Sequence, residues 1–226
     1  MVRLSIIVPV LDEAEHIESA LAALQPLRAR GHEVIVVDGG SADATASIAQ
    51  PLCDRMLAAP RGRAAQMNAG ARVARGDAIL FLHADTRLPA SADGAIDAAL
   101  NERQWGRFDV RIDSARPLLA LVSFMMNARS RLTGIATGDQ ALFARRAAFE
   151  AAGGFPALAL MEDIALSARL KQQGPPACLA QVVITSARRW EKHGVLRTIM
   201  LMWRLRLAYF CGADPERLAR IYTGRA

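Results

Sequence analysis

Apolar runs typical of buried strands alternate with helical patterns over residues 3–82. Strands are predicted over residues 3–10, 33–37, 55–58 and 78–82, and helices over residues 13–25, 42–50 and 63–74, with Ser41 as the N-cap of the second helix. The run EVIVV at residues 33–37 is continuously apolar, as expected for a strand covered on both faces. The alternation predicts an α/β fold with a mostly parallel central sheet covered by helices on both faces.

The second half of the chain is less regular. Strands are predicted over residues 105–112, 140–145 and 178–184, and helices over residues 117–132, 162–173 and 195–210. We predict one domain over residues 1–193, followed by an apolar and basic helical appendage over residues 194–226.

Composition and charge exclude several classes of protein. The 226 residues are 52% hydrophobic and 22% charged, which is typical of a globular chain. The three cysteines are far apart and form no CxxC pair, so a zinc site or a disulfide framework is not expected. The net charge of +6 lies wholly in residues 186–226, which hold nine basic and three acidic side chains. A neutral body argues against a nucleic-acid partner.

No stretch of 18 or more apolar residues exists, so no transmembrane span is predicted. The N-terminal apolar run lacks the cleavage pattern of a signal peptide, so we predict that it forms the first strand. We therefore expect a cytoplasmic protein. Peripheral contact with the inner face of the membrane is the alternative, because the basic tail can attract anionic lipids.

Three carboxylates follow three of the predicted parallel strands: Asp12, Asp38 and Asp85. The carboxyl ends of such strands form one edge of the sheet, and ligands bind there. Asp12 and Asp38 can accept hydrogen bonds from a ribose or a base, and Gly39 lets the backbone approach a ligand closely. The predicted nucleotide-sugar site also takes in Pro9, Glu13 and Ala84. The structural alternatives are a helix-start charge for Asp12 and a plain turn for Asp38.

Two arginine motifs suit phosphates. Arg63 begins a predicted helix that also carries Asn68, and a helix start exposes backbone N–H groups to an anion. Arg189 beside Trp190 can clamp a diphosphate while the indole stacks on a sugar face. The alternatives are solvated surface arginines and an interfacial aromatic residue.

The segment His83-Ala84-Asp85 is the candidate metal site. One or two carboxylates together with substrate phosphates are enough to hold Mg²⁺ or Mn²⁺, and Asp85 lies where such an ion would bridge protein and diphosphate. His83 lies two residues earlier and points the same way on an extended segment. It is a weak ligand or a supporting group, or else a hydrogen-bonded histidine with a structural role.

Glu162 and Asp163 open a predicted helix, where the helix dipole favours acidic residues in any case. The functional alternative is a general base that removes a proton from an acceptor hydroxyl. Neighbours on a helix point about 100° apart, so only one of them can face the donor. We predict Asp163 as the base, supported by Glu162.

The motifs PVLDE, VVDGGSADAT, GRAAQMNAG, LHAD and MED follow one another in an order that resembles family 2 glycosyltransferases of the GT-A fold, over roughly residues 3–193. The resemblance implies a Rossmann-like sheet that binds a nucleoside diphosphate sugar, with UDP favoured over GDP, and transfers the sugar with inversion. It implies nucleoside-binding roles for Asp12 and Asp38 and a catalytic base at Asp163.

The same resemblance makes Asp85 the last acid of a D-x-D metal motif in which His83 replaces the first acid. Ligation of the metal is then expected to fall mainly on Asp85 and the donor phosphates. The stretch SARRWEKHG resembles that of a subgroup of small bacterial enzymes. Its match to the element typical of processive members is partial, so processivity is not expected.

The predicted helix over residues 195–210 is too short and too charged to span a bilayer. It is expected to pack on the body or against a second subunit, in a homodimer that the apolar run at residues 117–126 would join. The other candidate role is a membrane-surface contact that presents a lipid-linked hydroxyl acceptor.

Two other functions use similar parts. A nucleotidyltransferase would have a glycine-rich basic loop after the first strand, where this chain has Leu11-Asp12-Glu13. A non-catalytic nucleotide-sugar binding module would need neither Asp85 nor Asp163. An NAD enzyme is disfavoured because no GxGxxG motif follows a strand.

Overall fold

A single eight-stranded sheet organises the protein, whose computed structural model describes residues 1–224. The strands are β1 (Leu4–Val10), β2 (Glu33–Asp38), β3 (Arg55–Ala58), β4 (Ala78–Phe81), β5 (Thr86–Arg87), β6 (Trp105–Asp113), β7 (Phe143–Arg145) and β8 (Ala177–Ser186). Their order across the sheet is β3-β2-β1-β4-β7-β6-β8-β5.

The sheet consists of two parallel blocks joined by one antiparallel strand. Strands β3, β2, β1 and β4 are parallel to one another, and β6 is parallel to β8. Strand β7 runs antiparallel to both β4 and β6, and the short β5 is antiparallel to β8 at the edge. The predicted mostly parallel sheet is confirmed.

Eleven helices are present among the described residues. They are α1 (Ile17–Ala22), α2 (Gln25–Ala29), α3 (Thr45–Ala49), α4 (Arg63–Val73), α5 (Ala92–Glu102), α6 (Pro117–Thr133), α7 (Arg146–Ala151), α8 (Glu162–Leu170), α9 (Arg188–His193), α10 (Val195–Phe210) and α11 (Pro215–Thr223).

Successive residues of β1 point to opposite faces of the sheet, and both faces are buried. Ile6 packs with Leu21 and Ile96, from α1 and α5, whereas Ile7 packs with Met67 and Leu166, from α4 and α8. The prediction of helices on both faces is therefore confirmed.

Four local expectations differ from the structure. The helix predicted over residues 13–25 ends at Ala22, and α2 begins at Gln25, with Pro26 in its first turn, where a missing N–H costs least. Helix α3 starts only at Thr45, and Ser41 is not its N-cap. Helix α8 ends at Leu170, and the rest of the helix predicted to residue 173 is a 3₁₀ turn over Lys171–Gln173. Helices α5, α7, α9 and α11 and the two-residue strand β5 were not individually predicted.

The two C-terminal helices contact the body. Leu205 of α10 and Leu218 of α11 pack with Leu160, Met161 and Ile164 at the start of α8. The predicted division into a domain and an appendage at residue 193 stays a prediction. These contacts join the two predicted parts. Among residues 1–224, no helix has the length and apolar character needed to cross a bilayer.

Candidate active site

Two adjoining cavities open at the carboxyl edge of the parallel strands. The smaller has a volume of about 320 Å³ and the larger about 920 Å³. Arg63, His83 and Asp85 line both of them. A molecule that spans the two cavities would therefore pass these three side chains at the point where the cavities meet.

The smaller cavity lies between the end of β1 and the start of α4. Of the residues predicted to bind a nucleotide sugar, four line it: Pro9, Glu13, Arg63 and Ala84. The turn before α4 brings Arg63 here because Gly62 adopts φ +134°, a conformation that side-chain-bearing residues rarely take. The remaining lining residues include Arg61 and Gln66.

Asp12 and Asp38 meet at the same edge but do not line either cavity. The Ser41 hydroxyl donates to Asp38 Oδ1 at 2.5 Å and accepts from the Asp12 N–H at 3.0 Å. Asp12 has a left-handed backbone with φ +53°, and its carboxylate accepts from the Ala42 N–H at 2.8 Å. The predicted convergence of the two acids is found, and Ser41 links them instead of capping a helix.

Gln66 is a site residue that the sequence analysis missed. Its Nε2 donates to the carbonyl oxygens of Val10 and Val37, both at 2.8 Å, and so ties together the ends of β1 and β2. A Cβ at Gly39 would lie 3.1 Å from the Gln66 amide, so glycine leaves room for this contact. The available signal was a polar side chain on the buried face of α4.

Asn68, predicted to bind the nucleotide sugar, contacts the backbone of Phe155 instead. Its Nδ2 donates to the Phe155 carbonyl at 2.8 Å, and its Oδ1 accepts from the Phe155 N–H at 3.0 Å. Both halves of the amide thus brace the loop before α8. Asn68 lines neither cavity.

Arg188, not Arg189, faces the acidic side chains where the cavities meet. Arg188 Nη2 lies 3.0 Å from Glu13 Oε2 and 3.7 Å from Asp85 Oδ2. The Arg189 guanidinium instead stacks on the Tyr222 ring, 3.5 Å from its centroid, and donates to the Tyr222 carbonyl at 3.1 Å. Arg189 thus ties α9 to α11, but it also lines the larger cavity, and the diphosphate clamp at Arg189 stays a prediction. Trp190 lines the larger cavity.

His83 is held by the loop before β7. Its Nδ1 lies 3.3 Å from Asp139 Oδ1, and its side chain is 11% exposed. Burial alone would raise the pKa of Asp139, but His83, Arg63 and Arg206 lower the pKa below its ordinary value. A Cβ at Gly138 would lie 2.5 Å from the imidazole, so only glycine fits there.

The donor set at this point fits a cation that takes most of its ligands from a substrate. Within residues 1–224, no group of three His, Cys, Asp or Glu side chains could hold a metal by itself. Asp85 supplies a partly exposed carboxylate. The His83 imidazole lies beside the Asp139 carboxylate, and such a carboxylate commonly orients a metal-binding histidine. One carboxylate together with phosphates is a donor set that Mg²⁺ accepts.

Glu162 and Asp163 both line the larger cavity, in different environments. Asp163 Oδ2 accepts from the Gly138 N–H at 2.8 Å, and Oδ1 accepts from the Ile164 N–H at 2.7 Å. Burial, followed by the neighbouring Asp163 charge, raises the pKa of Glu162 to about 7. Glu162 is therefore largely protonated below neutrality, whereas both carboxylate oxygens of Asp163 accept backbone hydrogen bonds.

Comparison with known proteins places these cavities in a familiar fold. Residues 5–110 match the family model described as "Glycosyl transferase family 2". No curated protein matches the chain in sequence.

Several solved structures share the fold at low sequence identity. TarS residues 1–349 from S. aureus align with a TM-score of 0.66 and 18% identity, over 82% of this chain and 60% of that one. The mannosyltransferase PcManGT from Pyrobaculum calidifontis, in complex with GDP-Man and Mn²⁺, aligns with a TM-score of 0.63 and 22% identity, over 92% and 61%.

Glucosyl-3-phosphoglycerate synthase from Mycobacterium tuberculosis, in complex with Mn²⁺, UDP and phosphoglyceric acid, aligns with a TM-score of 0.63 and 18% identity, over 94% of this chain and 80% of that one. The chain spans about 60% of the length of the TarS and PcManGT chains. The predicted GT-A fold and the resemblance to family 2 glycosyltransferases are confirmed.

Proposed function

We propose that this chain, a GT-A protein whose residues 5–110 match glycosyl transferase family 2, transfers a sugar from a nucleoside diphosphate sugar to an acceptor hydroxyl with inversion. The observation that carries the proposal is the pair of adjoining cavities that share Arg63, His83 and Asp85. Asp163 lines only the larger cavity. The donor would enter through the smaller cavity and the acceptor through the larger one.

The nucleoside diphosphate occupies the smaller cavity in this proposal. Asp12 stands between the lining residues Leu11 and Glu13, so the Asp12–Ser41–Asp38 cluster would meet the nucleoside at the rim of this cavity. Arg63 and Arg188 would lie at the diphosphate end. Structures of TarS with UDP-GlcNAc and of PcManGT with GDP-Man support a nucleotide-sugar donor. We propose UDP rather than GDP as the nucleotide of the donor.

Asp85 would hold Mg²⁺ or Mn²⁺ against the diphosphate, with His83 as a second contact. The cation, when bound, offsets the negative charge that develops on the leaving nucleoside diphosphate. Complexes of similar structures with Mn²⁺ or Mg²⁺ support this assignment. The role of Arg63 and Arg188 is to stabilise the same charge by direct hydrogen bonds.

Asp163 acts as the general base in this scheme. The Asp163 carboxylate would remove the proton of the acceptor hydroxyl, whose oxygen attacks the anomeric carbon from the face opposite the diphosphate. The bond from the anomeric carbon to the diphosphate oxygen breaks in the same displacement, so the anomeric configuration inverts. Glu162 stays largely protonated below pH 7 and so adds little negative charge beside the base.

Release of UDP or GDP from a panel of nucleotide sugars tests the proposed reaction. With Mn²⁺ present, the protein should slowly hydrolyse one of them, with water in place of the acceptor. Asp163→Asn should reduce this turnover by about 10²–10⁴-fold while nucleotide binding is retained. Nucleotide-sugar binding without turnover in the unaltered protein, even with candidate acceptors added, would favour a binding module.

We also propose that the acceptor is presented at an anionic membrane surface. Five exposed side chains of α10 recur on one side of the helix and form an apolar stripe: Leu196, Met200, Trp203, Leu207 and Phe210. Arg197 and Arg204 flank this stripe, and the net positive charge of the chain is concentrated in this region. An apolar face with basic margins suits anionic lipid headgroups better than a second, equally basic copy of the chain.

Co-sedimentation with vesicles tests the membrane contact. Binding to vesicles that contain anionic lipid should weaken at high salt and on substitution of Trp203 by Ser. Equal binding to neutral vesicles, or a concentration-dependent homodimer whose formation needs Trp203, would contradict the proposal.

A further inference from the structure

Two arginines meet in the larger cavity without acidic partners. Arg129 comes from α6 and Arg206 from α10, and both are half-buried in the cavity wall. Arg129 Nε and Nη2 and Arg206 Nε are shielded from solvent, and within residues 1–224 they have no hydrogen-bond partner. No ion pair joins either guanidinium to an acid in that part of the chain.

This arrangement is costly for the free protein. A buried charge without a partner is destabilising, and buried polar groups are otherwise nearly always hydrogen-bonded. Burial and then the charge of Arg206 lower the pKa of Arg129 to about 10, and burial also lowers the pKa of Arg206. Both guanidiniums nevertheless stay charged at neutral pH. The acids whose charges act on them without forming an ion pair are Asp163 and, for Arg206, Asp139.

The unpaired donors call for an anion that the chain does not supply. A guanidinium is planar and forms paired hydrogen bonds with phosphate oxygens, and two guanidiniums can hold opposite sides of one phosphate. Around the arginine pair, the cavity wall is apolar and is formed by α6 and α10, with Val122, Met125, Met126, Met202, Trp203 and Leu207. These side chains suit an apolar group attached to the phosphate.

We propose that Arg129 and Arg206 form a subsite for a phosphate group of the acceptor, whose apolar portion lies along the α6 and α10 side chains. This deepens, and rests on, the proposal that the larger cavity is the acceptor site. Bound there, the phosphate would hold the acceptor hydroxyl toward Asp163 in the same cavity. The acceptor class is therefore a phosphorylated amphiphile that carries a free hydroxyl.

Calorimetric titration with octyl phosphate, below its micelle concentration, tests the subsite. Octyl glucoside carries the same chain without the charge, and inorganic phosphate carries the anion without the chain. Octyl phosphate should bind most tightly of the three. Arg129→Gln and Arg206→Gln should each weaken its binding at least tenfold, whereas Arg72→Gln, at an exposed position of α4 outside both cavities, should leave the affinity unchanged.

Equal affinity for octyl phosphate in all four proteins would overturn the proposal, as would equal binding of octyl glucoside. Inorganic phosphate bound as tightly as octyl phosphate would also overturn it, because the apolar wall would then contribute nothing. If a glutamine variant does not fold, Arg129→Lys and Arg206→Lys keep the charge but lose the planar fork, and the affinity should still fall.

Nucleotide binding separates this inference from the proposed function. Titration of the same variants with UDP and Mn²⁺ should give unchanged affinity, since Arg129 and Arg206 do not line the smaller cavity. Loss of octyl phosphate binding alone would support the subsite. Absence of any nucleotide binding in the unaltered protein would sink the transferase proposal, whereas intact octyl phosphate binding would still show the anion subsite.

Discussion

The Arg188 guanidinium lies 3.7 Å from the Asp85 carboxylate and 3.0 Å from that of Glu13. The first residue of α9 thus reaches the strand end that carries the candidate metal ligand. In the free protein the guanidinium neutralises two acids, and a diphosphate arriving at this point would offer it stronger acceptors.

Arg188→Ala and Arg189→Ala should have different consequences. Loss of Arg188 should weaken nucleotide binding by about 10- to 100-fold, because a charge-assisted hydrogen bond contributes roughly 1.5–3 kcal/mol. Loss of Arg189 should mainly lower the unfolding temperature, since its guanidinium holds α11 through Tyr222. Calorimetry and thermal unfolding of both variants check this. A larger loss of nucleotide affinity in Arg189→Ala would show that the roles are reversed.

Glu162 should make the stability of the protein depend on pH. Its pKa is about 7 in the folded protein and ordinarily 4.5, so the folded state binds the proton more tightly. The resulting stabilisation is fully present below about pH 4.5 and is lost as the pH rises through 7. Each pKa unit corresponds to about 1.4 kcal/mol, so the loss is roughly 3–4 kcal/mol.

Thermal unfolding at pH 5 and pH 8 measures this dependence. Glu162→Gln should reduce the difference between the two unfolding temperatures, whereas Glu150→Gln, at an exposed position of α7, should leave it unchanged. An unaltered difference in Glu162→Gln would mean that burial of Glu162 does not control the titration.

Gly138→Ala should impair turnover far more than folding. The added Cβ would lie 2.5 Å from the His83 ring, and the same residue donates its N–H to Asp163. Displacement of this loop would disturb the candidate base and the histidine together, so donor hydrolysis should fall by at least tenfold. Gly94→Ala in α5 meets no atom within 4 Å and should be neutral or slightly stabilising. Full activity in Gly138→Ala would contradict the proposed geometry.

Asn68→Ala should destabilise the fold and leave nucleotide affinity unchanged. The substitution removes two hydrogen bonds to the Phe155 backbone. The partly buried N–H and carbonyl of Phe155 then lack partners, at a cost of about 1–3 kcal/mol. Denaturant unfolding measures the first effect and calorimetry the second. A stable variant with weakened nucleotide binding would restore Asn68 to the nucleotide site.

The sheet and most of the strand-end acids could be predicted because both follow from local patterns. Continuous apolar runs identify parallel strands, and the carboxyl-end rule then brings Asp12, Asp38 and Asp85 to one edge. Ser41 was misassigned because Asp38 competes for its hydroxyl, and that contact depends on the tight turn through Gly40.

The larger cavity could not be predicted from the sequence. Arg129 and Arg206 lie on different helices, and their proximity depends on how α10 packs against the body. The choice between Arg188 and Arg189 likewise depends on the position of Tyr222 in α11, which no local pattern indicates. Sequence spacing identified the motif there, and only tertiary packing distinguished its two arginines.

The most direct test of the central claim is calorimetric titration of the protein with UDP and with GDP, each with and without Mn²⁺. The account predicts that one of them binds in a metal-dependent manner, and that Asp85→Asn abolishes the metal dependence while Asp113→Asn, at an exposed site, retains it. Binding that is indifferent to Mn²⁺ and to Asp85→Asn, or no nucleotide binding at all, would contradict it.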